Sequence, residues 1–245
     1  MRVTDLTDEQ LTTLGEEFGS YAAECESAMR IALAKIMNAH KAMLRTEERS
    51  PFDAIDSRVK TFESTLGKCD ERGYKATIEI IKERIKDIAG IRIVTPFKDD
   101  IYTVVSIIEH IPGINVVQKK DYIKEPKDNG YMSIHLGVQI EIYLPSEGSK
   151  LVPVEIQVRD KAMDLWATVE HILRYKNTNP SPEVYRQFKA VSELLDEFDR
   201  MAIQLRDFEA EQNIKAENTA SAISGLAIPA TKTKKSPKSK TKNPP

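Results

Sequence analysis

Four groups of residues in this chain have the types and spacing that phosphate chemistry requires. The first is a ladder, because in Val154–Arg159 the apolar Val154, Ile156 and Val158 alternate with Glu155, Gln157 and Arg159. Successive side chains of a strand point to opposite faces, so the carboxylate, amide and guanidinium stand in one row. Upstream, Met132, Ile134 and Leu136 alternate with Tyr131, Ser133 and His135 in the same way. If the two strands pair, all these polar groups share one wall, although any half-exposed antiparallel strand also carries a polar face. The second group is cationic: Arg58 and Lys60 end an extended piece, and Ser64 and Lys68 lie on one face of the helix that follows. Such a cluster can hold a triphosphate, Arg through a planar fork and Lys as a point charge, although scattered surface Lys and Arg are far commoner than phosphate sites. In the third, Lys119 to Tyr131, a basic stretch containing Lys120 and Lys127 enters a loop closed by Asn129-Gly130, a dipeptide that favours a left-handed backbone. The fourth, Lys86 to Arg92, sets Asp87 just before a strand that contains Arg92. Asp87 and Glu155 could both reach one Mg²⁺, which takes one or two carboxylates together with substrate phosphates. Singly, Asp87 reads as a turn or cap residue and Arg92 as an ion-pair partner.

Hydrophobic periodicity supplies the scaffold for these groups. Thr7 and Gln10 have capping-box form, and Leu11, Leu14, Phe18, Tyr21, Ala22, Met29, Leu33 and Ile36 recur at helical spacing, which predicts one or two long helices over 7–45. Ile91, Ile93 and Val94 make a strand, Asp99 caps a helix carrying Ile101, Val104, Val105, Ile108 and Ile111, and Ile114–Val117 begins the next strand. Strands at Tyr131–Leu144 and Leu151–Arg159 are joined by a hairpin turn at Pro145–Ser149. Ala162, Leu165, Trp166, Val169, Ile172 and Leu173 form a helical stripe, Asn177–Pro182 breaks it, and Val184–Phe208 resumes an amphipathic helix. The interleaving predicts an α+β fold, a mixed β-sheet flanked by helices, with long N- and C-terminal helices. The segments are 1–48, an N-terminal helical part; 49–177, the central domain; 178–212, a C-terminal helix; and 213–245, a disordered basic tail.

Length and composition narrow the classes. A chain of 245 residues holds one good core with helical additions. No apolar run approaches the roughly 18 residues of a membrane helix, and no signal-peptide core opens the chain, so a soluble cytoplasmic protein without a membrane role is expected. Cys25 and Cys69 have no metal-ligand or redox spacing and read as buried or incidental thiols. The net charge of −2 would be −8 without the six lysines of Ile228–Pro245. That stretch can hold single-stranded RNA or an acidic partner by counterion release, or serve only as a solvated terminus. His40, His110 and His171 read as structural, and Trp166 as core.

Taken in order, Arg58-x-Lys60 with Ser64 and Lys68, Asp87-Ile88-Ala89-Gly90-Ile91-Arg92, Lys120-Asp121-Tyr122-Ile123 with Pro126-Lys127, Asn129-Gly130-Tyr131-x-Ser133-Ile134-His135, and Val154-Glu155-Ile156-Gln157-Val158-Arg159 resemble the synthetase domain of the RelA/SpoT family. The resemblance continues through Ala162-Met163, Trp166-Ala167, Glu170-His171 and Tyr175-Lys176, and so covers about Phe52 to Lys176. It implies a nucleotidyltransferase-like fold for 49–177 and transfer of pyrophosphate from ATP to the ribose 3′-hydroxyl of GDP or GTP, and of GMP as a further acceptor, with release of AMP. By resemblance, Arg58, Lys60, Ser64, Lys68 and Arg92 bind ATP, Asp87 ligates Mg²⁺, and Glu155 ligates it or serves as the base. Tyr131 stacks on guanine, with Lys120, Lys127, Asn129 and His135 around the acceptor and Gln157 and Arg159 supporting that wall. Small members of the family form tetramers through their long helices, so a homo-oligomer is expected here. No His-Asp dipeptide occurs, which implies synthesis of the stringent-response alarmone without hydrolysis. Met132 and Asp160 depart from the commonest family pattern on the acceptor side. Two rivals remain: a toxin-type relative that pyrophosphorylates the tRNA 3′ end or adenine nucleotides, and a non-catalytic module that binds single-stranded RNA with Tyr131 as a stacking platform.

Overall fold

A computed structural model describes residues 3–47, 49–175 and 181–225. Helix α1 (Asp8–Thr46) is one unbroken helix. Its start is fixed by Thr7, whose Oγ1 accepts the Gln10 N–H while its own N–H donates to Gln10 Oε1 at 2.9 Å. The buried stripe Leu14, Phe18, Tyr21, Cys25, Ala28, Met29, Ala32 and Ile36 follows at helical spacing. Strand β1 (Ala54–Val59) leads to α2 (Phe62–Glu71), capped by Thr61, and α3 (Ile78–Arg84), capped by Thr77. Then come β2 (Ala89–Thr95), α4 (Asp100–His110), β3 (Asn115–Asp121), β4 (Ile134–Leu144), β5 (Gly148–Asp160), α5 (Lys161–Tyr175) and α6 (Pro182–Gly225). Asp99 occupies the N-cap of α4 as expected, but its side chain makes no capping bond.

The five described strands form one sheet in the order β1-β2-β5-β4-β3, with β2 and β5 parallel and the other pairs antiparallel. This is the mixed sheet that the interleaving predicts. One face is the core: Ile134, Leu136, Val138, Ile140, Val152, Val154, Ile156 and Val158 are almost wholly buried, and α1 and α4 pack on the sheet. Each such side chain contributes roughly 1.5–3 kcal/mol of burial. The fully buried Ala28 and Ala32 leave room for α1 to approach the strands. The opposite face is left to polar residues, and α5 returns onto it beside β2 and β5.

The chain divides into two units, Met1–Ile203 and Gln204–Pro245. Within the first, the early part of α6 packs by an unusual face. Phe188, Ser192 and Asp199 are buried, whereas Leu194, Phe198 and Met201 are more than half exposed. Asp199 meets Asp160 at the end of β5; burial and the Asp160 charge push its carboxyl up to about 8. Lys98 pairs with Asp196 on the same helix. The second unit is described only as the continuation of α6, with Leu205, Phe208 and Ile214 exposed. That helix runs past Asn213, where the apolar pattern fades. Ala, Glu and Lys continue there, and they are good helix formers without any stripe to betray them. The lysine-rich tail and Lys176 lie outside the described residues.

Candidate active site

Register across the sheet aligns residues that are far apart in sequence. One rung reads Arg58, Gly90, Glu155, Gly137 and Gln118, and the next reads Asp56, Arg92, Gln157, His135 and Lys120, each from β1, β2, β5, β4 and β3 in turn. Because odd and even positions alternate between faces, all ten belong to the face opposite the core. Glu155 thus has a glycine on either side. A Cβ on Gly90 would meet only ordinary contacts, at 3.9 and 4.0 Å, so backbone crowding does not demand the glycine. Gly90 lines the cleft beside the carboxylate, whereas the place of a Gly137 side chain is taken by Gln118, whose Cβ would lie 3.3 Å from an added Cβ.

A cleft of about 630 Å³ opens over this wall, within the roughly 300–1,000 Å³ of small-molecule sites. Arg58, Lys60, Asp87, Arg92, Tyr131, Glu155, Gln157 and Arg159 all line it. Asp87, at the end of the loop before β2, takes Lys60 Nζ and Lys68 Nζ on the same oxygen, Oδ2, each at 2.6 Å. Burial pushes its carboxyl up, but the two ammonium groups outweigh this and hold it below the usual carboxylate range. Burial also lowers the Lys60 ammonium, against the pull of Asp87. The cations assigned to ATP are therefore paired here with the carboxylate assigned to Mg²⁺. The other oxygen, Asp87 Oδ1, is buried without a hydrogen-bond partner. A buried carboxylate oxygen with nothing to accept, beside a second carboxylate, fits a cation ligand.

Glu155 is held by two neighbours. His135 Nδ1 lies 3.3 Å from Oε1, and Gln157 Nε2 donates to Oε2 at 2.7 Å. Burial raises this carboxyl and the Asp87 charge adds to that, yet His135 and Gln157 leave it below its ordinary value. On the far side of the imidazole, Nε2 and the Tyr131 hydroxyl are 2.7 Å apart. A neutral ring with the proton on Nδ1 satisfies both contacts, donating to Glu155 and accepting from Tyr131. Tyr131 also meets Tyr122 and Trp166 edge-on, both at 6.0 Å, and Lys127 Nζ stands 4.7 Å from its ring centroid. Burial lowers the Lys127 ammonium, against the charges of Glu155 and Glu170.

The loop before β4 carries the rest. Asn129 Oδ1 accepts the Tyr131 N–H at 3.2 Å, and its Nδ2 donates to Glu170 of α5 at 3.4 Å. Tyr131 and Ser133 were expected within a strand, but β4 begins only at Ile134. Ser133 is buried, with Oγ donating to Val158 O at 3.1 Å, so it leaves the polar wall. Ser64 is exposed in the first turn of α2, where Thr61 Oγ1 donates to its Oγ at 3.1 Å, and it does not line the cleft. Lys120 stands on the edge strand beside His135 and is exposed. Arg92 reaches Asp56 and Asp164, at 3.4 and 3.6 Å, and the buried Arg159 reaches Asp164 at 3.1 Å.

Residues of α5 that line the cleft were given no role at the site from sequence. Thr168 and His171 line it beside Glu170, so His171, read as structural from sequence, stands at the cleft wall. The signal was available: Asp164, Thr168 and His171 recur at helical spacing, opposite the buried Ala162, Met163 and Trp166. His40 and His110 are structural, bonded to Ser50 Oγ and Ser106 O. Cys25 and Cys69 are buried free thiols, and Trp166 is buried.

Carboxylates among cations in an open cleft on a mixed sheet are what enzymes of phosphoryl transfer need. Residues 57–180, just over half the chain, match the region found in RelA / SpoT proteins, and the chain belongs to that family. It is 37% identical over 158 residues to the GTP pyrophosphokinase YwaC of Bacillus subtilis, covering 64% of this chain and 75% of that protein. Similarity to the GTP pyrophosphokinase YjbM of the same organism is 36% over 170 residues, covering 67% and 78%. Among solved structures, the small alarmone synthetase 1 of Bacillus subtilis bound to its product pppGpp superposes with a TM-score of 0.72 at 31% identity, covering 78% of this chain and 97% of that one. A GTP pyrophosphokinase family protein from Streptococcus pneumoniae gives 0.71 at 29%, covering 80% and 96%.

Proposed function

We propose that this protein is a (p)ppGpp synthetase that transfers the pyrophosphoryl group of ATP to the ribose 3′-hydroxyl of GDP or GTP, with GMP as a further acceptor. The 3′-oxygen attacks the β-phosphorus, the bond from that phosphorus to the α,β-bridging oxygen breaks, and AMP leaves. The observation that carries the reading is the Glu155 carboxylate, held below its ordinary range by its hydrogen bonds and lining the open cleft beside Gly90, on a wall whose flanks are cationic. Glu155 takes the proton of the attacking hydroxyl, and Gln157 and His135 hold the carboxylate in place. Arg58, Lys60, Lys68 and Arg92 meet the spreading charge of the donor phosphates, which requires Lys60 and Lys68 to give up Asp87. Asp87, with Glu155, holds Mg²⁺, which when bound neutralises phosphate charge. Tyr131, with Lys127, Asn129 and Lys120, receives the guanine nucleotide, and Lys127 leaves the ring face as the base stacks.

Such chemistry belongs to the cytoplasm and to alarmone production in the stringent response. No described helix is long and apolar enough to cross a membrane. The apolar stripes left exposed on α5, Leu165 and Ile172, and on α6, Leu194, Phe198 and Met201, are covered in our reading by further copies of the chain, as a tetramer. A monomeric mass by light scattering at micromolar concentration would rule that out.

The test of function is transfer of label from γ-labelled ATP with Mg²⁺ to GMP, GDP, GTP or deacylated tRNA, alongside Glu155→Gln. Guanosine tetra- or pentaphosphate formed by the wild type and absent with the variant is the expected result. Label on tRNA alone would move the protein to the tRNA-modifying branch, and no transfer to any acceptor would leave an RNA-binding module. Incubation with ppGpp and Mn²⁺ should release no pyrophosphate, as a synthetase without hydrolysis requires.

A further inference from the structure

The acceptor loop is held from outside the sheet. Gly130 has φ +88°, and its carbonyl accepts a hydrogen bond from Ser192 Oγ of α6 at 2.6 Å. Approach is so close that a Cβ on Gly130 would lie 2.7 Å from Ser192 Cβ and 3.2 Å from Lys189 Cα. Four residues earlier on the same helix face, Phe188 packs against Trp166 with ring centroids 5.6 Å apart, and its carbonyl accepts Trp166 Nε1–H at 2.9 Å. Trp166 in turn bears on the Tyr131 ring. Tyr131 is thus bracketed twice by α6: through its backbone neighbour by Ser192, and through its ring by way of Phe188 and Trp166. Neither Ser192 nor Phe188 lines the cleft.

We propose that Ser192 is a positioning residue for the acceptor nucleotide, acting through the Gly130 carbonyl on the placement of Tyr131. The inference rests on the reading that Tyr131 contacts the guanine nucleotide. Its physical basis is that a glycine in a loop has the widest choice of backbone conformations and loses the most freedom when ordered. Within the loop, Gly130 N–H donates to Lys127 O at 2.8 Å and Lys127 N–H to Tyr131 O at 3.2 Å. Neither bond ties the loop to the rest of the fold; Ser192 does so at 2.6 Å, and the other tie, Asn129 Nδ2 to Glu170, is long at 3.4 Å. Without it the binding-competent loop is a smaller fraction of the population, and apparent acceptor affinity falls by that fraction. The donor side stands on β1, α2 and β2, which Ser192 does not touch, so ATP should not sense the change.

The test is a cycle of Ser192→Ala, Tyr131→Ala and the double variant. Alanine is a better helix former than serine, so the substitution does not threaten α6. Initial rates give KM for GDP and for ATP separately, and emission of Trp166, the sole tryptophan, gives GDP affinity without turnover. Loss of one hydrogen bond predicts a GDP KM raised about fivefold in Ser192→Ala. KM for ATP and kcat should stay within about twofold, and the effect should vanish in the Tyr131→Ala background, where no placed ring remains to lose. Unchanged KM for GDP, an equal rise in KM for ATP, or additive effects in the double variant would overturn the proposal while leaving Tyr131 as an acceptor contact. If Tyr131→Ala itself leaves KM for GDP unchanged, the underlying reading fails instead.

Discussion

The donor and acceptor sides of the cleft are organised by different forces. On the side we assign to the donor, order comes from charge: Asp87 holds Lys60 and Lys68 on one oxygen, and in our proposal these same groups exchange partners when nucleotide arrives. On the acceptor side, order comes from packing, with Tyr131 set between Tyr122, His135 and Trp166 and its loop fastened to α6. A charge-held site is rearranged by its ligand, whereas a packing-held site is shaped before the ligand comes. Binding on the donor side should therefore respond to charge substitutions, and binding on the acceptor side to changes of shape.

Glu155 lies between the two sides, and its removal should have the largest effect. Glu155→Gln is expected to lower turnover about 10²- to 10⁴-fold, the usual range for a general base, with KM for GDP little changed. A loss confined to KM would make Glu155 a binding group only. Asp87→Asn comes next and separates the roles on the donor side. Turnover should fall about 10²-fold, while ATP measured without divalent cation should bind about tenfold more tightly, since Lys60 and Lys68 no longer have a competing carboxylate. Weaker metal-free binding would mean that the lysines do not serve the donor phosphates. Gly90→Ala should slow turnover about tenfold by filling space beside Glu155, with thermal stability unchanged or raised by less than about 1 kcal/mol. Normal turnover would show that this space is not used.

The smallest effect concerns the packing of α6 and is read by pH. The Asp199 carboxyl is raised to about 8 in the folded protein, against about 3.9 when unfolded. Between those values the folded chain holds the extra proton, so stability falls as pH rises through the window and levels off above it. Lys98 and Asp196 face the pair with Asp160 and move the balance in opposite directions. Asp199→Asn should raise Tm at pH 8.5 by roughly 2–6 °C, or about 1–2 kcal/mol, and by less at pH 5.5. Equal shifts at both pH values would deny the shared proton. Glu155 and Asp87 carry the opposite sign: both carboxyls are depressed, so what they contribute to stability is present above the ordinary carboxylate range and is lost as pH falls through their lowered values.

Legibility in the sequence followed the same division. Strand alternation carried Glu155, Gln157, Arg159 and His135 to one wall, because a period of two leaves no freedom once one face is core. It failed for Ser133, which turns inward before β4 begins, whereas Tyr131, also ahead of β4, still lines the cleft beside His135. Helix α3 escaped notice because seven residues offer Ile78 and Ile81 and little else to a periodicity. The stripe of α5 was visible, yet Leu165, Val169, Ile172 and Leu173 within it are exposed and only Ala162 and Trp166 are buried. Periodicity shows that a helix has an apolar face and is silent on whether its own chain covers it. Ser192 was invisible for a plainer reason: a serine in a polar helix means nothing until Gly130, 62 residues away, is seen beneath it.

The paired glycines around Glu155 have a genetic consequence. Of the two, Gly90 is the one that lines the cleft beside the carboxylate, and a single base change in a glycine codon yields alanine. At Gly90 the added methyl meets nothing closer than 3.9 Å, so the altered chain still folds and still presents every charge of the site. If Gly90→Ala slows turnover as expected, impaired copies of this protein arise in one step and pass any screen for solubility or abundance.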